Sequence, residues 1–306
     1  MKVSVIIPAY NSEKWIERAI KSVMDQRYQN YELIIVDDCS IDNTYKIIQK
    51  YANDPKVKIC RLSVNSGVSV ARNAGLELCD GDIVIFLDSD DEFIPDALDT
   101  IIKKFKSLPE DVGIIYARTI NDNGEVGGDI SGIEHYITII DVLCKEIIKG
   151  EAAIAFKRKF MDNLKFHGKF FHHSSSFNLK IMMRTKAYSI PTILLKYHNL
   201  TNPKSLTKIK RNIYLRMSSS HEIAKEISDY LAVFGDILKI YCPKKYSSIN
   251  LQLGIYALLA NNRKLALEGF IESLRYYPYK STIIWMALIF LPIGLIRQLY
   301  LRLFSK

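Results

Sequence analysis

The runs "KVSVIIP", "YELIIVDD", "VKICRLS" and "DIVIFLD" are apolar almost throughout, and helical patterning fills the gaps between them. In "SEKWIERAIKSVMDQ", Trp15, Ile16, Ala19, Ile20, Val23 and Met24 fall on one stripe of a helix. "CSIDNTYKIIQKYAN" predicts a second helix with Ser40 or Asp42 near its start, and "SVARNAGLELC" a third. A helix opening at Pro95 and the strand "VGIIYARTI" complete the series. Continuously apolar strands separated by amphipathic helices predict an α/β fold, a parallel sheet covered on both faces. Ligands of such sheets sit beyond the carboxyl ends of the strands. That rule places Pro8–Asn11, Asp37–Ser40 and Asp88–Asp91 along one rim.

From about residue 121 to 205 the pattern loosens into shorter segments that carry His167, His172, His173 and His198. From 206 onward it is mainly helical, and "LQLGIYALLANNRKLALEGFIESLRYYPY" predicts a helical hairpin turning at "NNRK". The tail holds an uninterrupted apolar block, Ile283 to Ile296, followed by Arg297, Arg302 and Lys306. Spanning a bilayer takes about 20 apolar residues, so the block is short for that purpose. An apolar stretch with trailing cations suits a helix lying in a membrane interface. A helix docked on its own domain is the plainer alternative.

Charge sharpens the division. Residues 1–150 carry 17 Lys and Arg against 25 Asp and Glu, whereas 151–306 carry 25 against 8. An acidic first half and a strongly basic second half point to an anionic partner for the second: nucleic acid, phospholipid or a phosphorylated substrate. The five cysteines are odd in number and lack C-x-x-C spacing, which suits thiols in a reducing compartment rather than a disulfide frame or zinc site. "MKVSVIIPAYN" lacks the long apolar core and cleavage site of a signal peptide, which suits the cytoplasm.

Candidate chemistry concentrates in "VIFLDSDDEFIP". Asp88, Asp90, Asp91 and Glu92 crowd the point where a strand must end. A D-x-D pair at a strand end holds Mg²⁺ or Mn²⁺ through oxygen and leaves positions for diphosphate oxygens. A helix-capping acidic loop is the alternative. No G-x-G-x-x-G or G-x-x-x-x-G-K-[ST] is present, so dinucleotide and P-loop chemistry lose their main support.

Together "VSVIIPAYNSEKWIERAIKSVMDQ", "YELIIVDDCSIDNT" and "NSGVSVARNAGLELCDGDIVIFLDSDDEFIPDAL" resemble the family 2 glycosyltransferases, inverting nucleotide-sugar enzymes of the GT-A fold. The resemblance is dense from Lys2 to about Ile120; "FKRKFM" and "PKSLT" extend it weakly. It implies a nucleotide-sugar-binding half at 1–120 and an acceptor-binding half at 121–205, to which the patterning adds a helical region with a membrane-associating tail at 206–306. It implies that Pro8, Ala9 and Tyr10 pack the nucleobase and that Asp38 accepts hydrogen bonds from it, uracil being the usual base. Asp37 would fix the loop, and Arg72 and Asn73 would lie close to the nucleotide. Asp88 would reach the ribose and Asp90 would ligate the Mg²⁺ or Mn²⁺, with Asp91 behind it. The partners implied are a UDP-linked sugar and a glycan or lipid-linked glycan acceptor rather than nucleic acid. The enzyme would act at the inner face of the membrane in surface polysaccharide synthesis.

One position departs from the family pattern. Inversion needs a base for the acceptor's proton, which the family supplies as an Asp in an aromatic-His-Glu-Asp motif. In "FFHHSSSFNLKIMM", Phe171 and His172 fit, but His173 and Ser174 stand where Glu and Asp are expected. Serine is no base at neutral pH without help, whereas an imidazole titrates near 6.5. Either a histidine has taken the role, the base lies elsewhere, or the protein is a catalytically impaired nucleotide-sugar or glycan-binding protein. A nucleotidyltransferase is a further alternative, but "PAYNSEKW" lacks the Gly-rich basic loop such enzymes carry after the first strand.

Overall fold

The computed structural model describes residues 1–129, 131–168, 173–198 and 213–304, with His173 and Ser174 as backbone alone. The chain divides into two compact units, Met1–Lys169 with His173–Asn202, and Phe170–His172 with Pro203–Lys306.

The first unit runs β1 (Val3–Ala9), α1 (Ile16–Met24), β2 (Tyr31–Asp37), α2 (Thr44–Gln49), β3 (Val57–Arg61), α3 (Val68–Leu78) and β4 (Ile83–Phe86). Next come β5 (Glu92–Phe93), α4 (Ala97–Ser107), β6 (Val112–Asn121), β7 (Val126–Asp129), β8 (His135–Ile137), α5 (Ile139–Leu143) and β9 (Ile148–Lys149). It ends with β10 (Ala153–Lys157), α6 (His173–Met182) and β11 (Lys186–Tyr197). The sheet order is β3-β2-β1-β4-β10-β6-β11-β5. The first four strands pair in parallel, as their patterning predicts. Beyond them the sheet is mixed, because β10 enters antiparallel between β4 and β6. Every residue of β1 and β2 is buried, which is why both read as unbroken apolar runs.

The exceptions at the amino end of those runs are Ser4 and Glu32. Burial alone would raise the Glu32 carboxyl. The Asp80 amide (2.8 Å), Lys58 (2.7 Å), Ser4 (2.5 Å) and Lys2 (3.1 Å) outweigh it and bring the group down to about 2.

The opposite end of the sheet is built to open. The chain leaves β1 for β2 on one side and returns to β4 on the other, so a topological switch point lies between β1 and β4. Their ladder ends at Ile6↔Phe86, with the Leu87 amide still donating to Ile6 (3.0 Å). Two residues further, Pro8 has no N–H to continue it. The strands therefore part just where the sequence places its rim residues.

The second unit is helical among its described residues: α7 (Ile213–Ser218), α8 (Ser220–Tyr241), α9 (Pro243–Leu259), α10 (Arg263–Tyr276), α11 (Lys280–Ala287) and α12 (Ile293–Phe304). The expected hairpin is α9 and α10, turning through Asn261 in the left-handed region (φ 63°). A Cβ at Gly269 would stand 2.9 Å from the Asn250 carbonyl and the Gly254 nitrogen, so glycine sets how closely these helices approach. The tail is two helices rather than one, separated by a 3₁₀ turn at Leu288–Phe290 and by Pro292. Cys39, Cys60 and Cys79 are free.

Candidate active site

Three loops meet at the carboxyl ends of β1, β2 and β4, and short polar contacts stitch them together. The Asp38 amide donates to the Ala9 carbonyl (2.8 Å) and the Asn11 amide to Ser40 Oγ (3.0 Å). The Ile41 amide donates to Asn11 Oδ1 (3.0 Å), and Ser12 Oγ lies 2.7 Å from Ser89 Oγ, between the two aspartates of the D-x-D. The rim expected at Pro8–Asn11, Asp37–Ser40 and Asp88–Asp91 is thus one continuous structure.

Among the residues assigned to the nucleobase, Pro8 and Ala9 have buried side chains, while Tyr10 is 43% exposed. Asp37 is fully buried, accepts the Ser40 amide and pairs with Arg61 Nε at 3.1 Å, which is the expected loop-fixing role. Asp38, 3% exposed, accepts the amides of Ser66 and Gly67, one on each oxygen, both at 2.7 Å. Gly67 is the residue before α3 and sits at φ 89°. Asp38 thus holds the entry to the helix that carries Arg72 and Asn73, a task invisible in the sequence pattern.

Arg72 reaches Asp88 with Nη2–Oδ1 at 2.8 Å. Its guanidinium lies over the Phe86 and Phe166 rings, at 5.7 and 5.4 Å from their centroids. It orients the first aspartate of the D-x-D, which is itself half exposed. Asn73 turns instead to the Phe166 backbone, accepting its N–H (2.8 Å) and donating to its carbonyl (3.0 Å). Phe166 stacks on Phe177 of α6 (3.9 Å, 14°), and both meet Phe86 edge-on. This aromatic cluster seats α6 against the strand that delivers the D-x-D.

The acidic loop is under electrostatic load. Burial, then the charges of Asp88 and Asp90, push the Asp91 carboxyl well above its ordinary range. Two residues missed by the sequence reading hold this loop. Arg18 of α1 donates to the Asp90 carbonyl (2.8 Å) and lies 3.9 Å from Glu92. His198, 5% exposed at the end of β11, has Nδ1 2.6 Å from Asp122 and Nε2 3.1 Å from Glu92. Its amide donates to Asp91 Oδ1 (3.2 Å). The apolar stripe of α1 gave no reason to single out Arg18, and β5, which brings Glu92 to His198, is two residues long.

Among the described residues no group of three or more His, Cys, Asp or Glu side chains is arranged to hold a metal on protein ligands alone. The residues present fit a cation shared with a ligand. Mg²⁺ and Mn²⁺ take one or two carboxylates and fill the rest with phosphate oxygens and water. A cation there would also relieve the like-charge repulsion recorded at Asp91. His173 and Ser174 contribute the first backbone turn of α6. Their side chains, and all of His172, lie outside the described residues.

Residues 4–178 match the family described as Glycosyl transferase family 2. A glycosyltransferase named for teichuronic acid biosynthesis in Bacillus subtilis, TuaG, is 48% identical over 98 residues, 32% of this chain and 39% of its own length. The GalNAc(5)-diNAcBac-PP-undecaprenol beta-1,3-glucosyltransferase of Campylobacter jejuni is 26% identical over 305 residues, 97% of this chain and 96% of its own. Staphylococcus aureus TarS 1–349, solved with UDP-GlcNAc, superposes with a TM-score of 0.60 at 18% identity, over 94% of this chain and 79% of that one. The mannosyltransferase PcManGT of Pyrobaculum calidifontis, solved with GDP-Man and Mn²⁺, gives a TM-score of 0.55 at 18% identity over 100% of this chain and 88% of that one. The shared fold is the α/β GT-A type, with a helical region after it.

Proposed function

The chain belongs to glycosyl transferase family 2, and on that premise we propose that it moves a sugar from a UDP-linked donor, with inversion, to a glycan or lipid-linked glycan of a bacterial surface polysaccharide. The observation that carries this reading is the D-x-D rim at the β1/β4 switch point, with exposed Tyr10 and the Arg72–Asp88 pair beside it. UDP-GlcNAc in TarS supports a UDP-linked donor. The undecaprenol-linked substrate named for the Campylobacter relative, and the teichuronic acid named for TuaG, support the acceptor class. A lipid-linked acceptor places the protein peripherally at the inner face of a membrane.

In this reading Tyr10 stacks on the base, Asp38 accepts a base N–H, and Asp88, held by Arg72, accepts from the ribose. Asn73 acts indirectly by fixing Phe166. Asp90 would hold a Mg²⁺ or Mn²⁺ ion, and that ion would supply charge neutralisation to the departing diphosphate. The acceptor hydroxyl attacks the anomeric carbon while the bond to the diphosphate oxygen breaks, and His173 takes the hydroxyl proton. Ser174, at the family's Asp position, favours one alternative: a protein that binds the nucleotide sugar and does not turn it over.

Titration calorimetry of UDP, with and without Mn²⁺, on wild type and Asp90→Ala tests the donor site. We expect Asp90→Ala to lose the Mn²⁺-dependent part of the affinity. Unchanged affinity and unchanged metal dependence would remove the assignment of Asp90. Product analysis with UDP-sugars then separates transfer or hydrolysis from an intact bound donor.

A further inference from the structure

The tail helices bear apolar residues on two faces, and one face is already used. Trp285, Ile289, Ile296 and Tyr300 are buried at 8% exposure or less. Tyr256 and Tyr300 meet through their hydroxyls (3.5 Å), and Ser273 Oγ lies 3.2 Å from Thr282 Oγ1. Arg263 donates to the carbonyls of Ile289 (2.7 Å) and Leu291 (3.1 Å) and so fixes the corner between α11 and α12. The hairpin is therefore docked on its own unit. Its other face is nonetheless apolar: Phe290 is 86% exposed, Ile284 61%, Ile283 59% and Leu295 44%.

Charge decides what covers that face. Residues 273–306 contain Arg275, Lys280, Arg297, Arg302 and Lys306 and no Asp or Glu. Lys280, Arg297 and Arg302 are exposed on the same two helices. An exposed apolar face carrying cations alone is complementary to anionic headgroups above an acyl layer. Crossing is not an option, since no helix among the described residues is long and apolar enough to span a membrane. At a rise of about 1.5 Å per residue, α12 covers roughly 18 Å, against a hydrocarbon core of about 30 Å.

We propose that the outer face of the α11–α12 corner is a monotopic docking surface for an anionic phospholipid bilayer. Phe290, Ile283 and Ile284 enter the acyl boundary, and Lys280 and Arg302 meet lipid phosphates. This deepens, and rests on, the reading of a transferase that acts on a membrane-borne glycan. On this proposal the docked helix and the interfacial helix are the same corner.

The test is flotation of the full chain with vesicles of phosphatidylglycerol and phosphatidylcholine, or of phosphatidylcholine alone. Wild type should float with the anionic vesicles. Ile284→Ser with Phe290→Ser should weaken the partition at least tenfold, with an unchanged melting temperature because both side chains are exposed. Lys280→Gln with Arg302→Gln should weaken it about fivefold per charge on anionic vesicles and leave phosphatidylcholine binding alone. Wild type that does not float with anionic vesicles overturns the proposal, as does a serine variant that floats like wild type. So does a wild-type dimer that the serine variant converts to monomer without any vesicle binding. UDP release from a UDP-sugar in free solution is followed in parallel. If flotation fails while release persists, the surface is refuted and the transferase reading stands.

Discussion

Asp38→Ala separates the loop contacts of this carboxylate from the base contact proposed for it. In the structure it accepts the amides of Ser66 and Gly67 at 2.7 Å each, almost out of reach of solvent. A hydrogen bond to a charged partner contributes about 1.5–3 kcal/mol, and a buried donor left unpaired costs a similar amount. Removing both therefore costs roughly 3–5 kcal/mol, a large share of a typical 5–15 kcal/mol stability and a fall in melting temperature on the order of 10 °C. Base recognition adds a separate signature. A carboxylate offers about four acceptor positions, so holding the loop is compatible with accepting a uracil N–H. Loss of that one bond weakens UDP by about 10–150-fold. Asp38→Asn keeps the shape and one acceptor but turns a donor toward the second amide, so its stability loss should be intermediate. The assay is thermal unfolding beside calorimetry with UDP and with ribose 5-diphosphate, which lacks the base. An Asp38→Ala protein that melts with wild type refutes the loop-holding account. Equal losses of affinity for both ligands refute the base contact.

Glu32→Gln should cost about 3 kcal/mol at neutral pH, since its carboxyl is held near 2 against an ordinary value of about 4.3. The folded value is the depressed one, so this stability is present above about pH 4.3 and fades as the pH falls toward 2; a gap between variant and wild type that ignores pH in urea melts refutes it. Asp91 has the opposite sign: its folded value is raised by burial and by Asp88 and Asp90, so ionising it costs stability as the pH rises from the ordinary aspartate range through the raised value. Asp91→Asn, whose carbonyl can still accept the His198 amide, should therefore melt above wild type at neutral pH and lose that advantage in acid; a variant less stable than wild type at pH 7 counts against this. If His173 is the base, His173→Ala should lower turnover by roughly 10²–10⁴-fold with little change in UDP affinity, and the wild-type rate should fall below about pH 6.5. A rate indifferent to His173 moves the base elsewhere, and revival by Ser174→Asp marks a dormant site.

The legible parts of the fold were those in which one chain segment sees one kind of environment. β1 and β2 are buried on both faces, so continuous apolar sequence named them, and the strand-end rule placed Asp38, Asp88 and Asp90 on one rim. The mixed half of the sheet was not legible. "AIAFK" becomes an antiparallel strand because β4 and β6 flank it, and neither partner is near it in sequence. Asp38 and Asn73 show the same limit at the site. The sequence marks them as polar residues at the right positions, but their partners, Ser66, Gly67 and Phe166, are set by tertiary packing. His198 is the extreme case: a single polar residue after a strand, whose three acidic neighbours come from two distant stretches of chain, Asp91–Glu92 and Asp122.

These contacts also explain why so repulsive a loop is kept. Two like charges about 4 Å apart cost about 4 kcal/mol at an effective dielectric of 20. Arg72 offsets part of this at Asp88, while Arg18 and His198 fix the loop through backbone groups and Glu92. A donor diphosphate would bring two more negative charges to the same place. Arg72, already paired with Asp88, cannot balance them as well, so an added cation is the simplest way for the rim to accept the diphosphate. Cation and nucleotide should then bind as one event, each nearly excluded without the other. That coupling, rather than a preformed metal cage, is what a rim with no three-ligand cluster among its described residues is suited to provide.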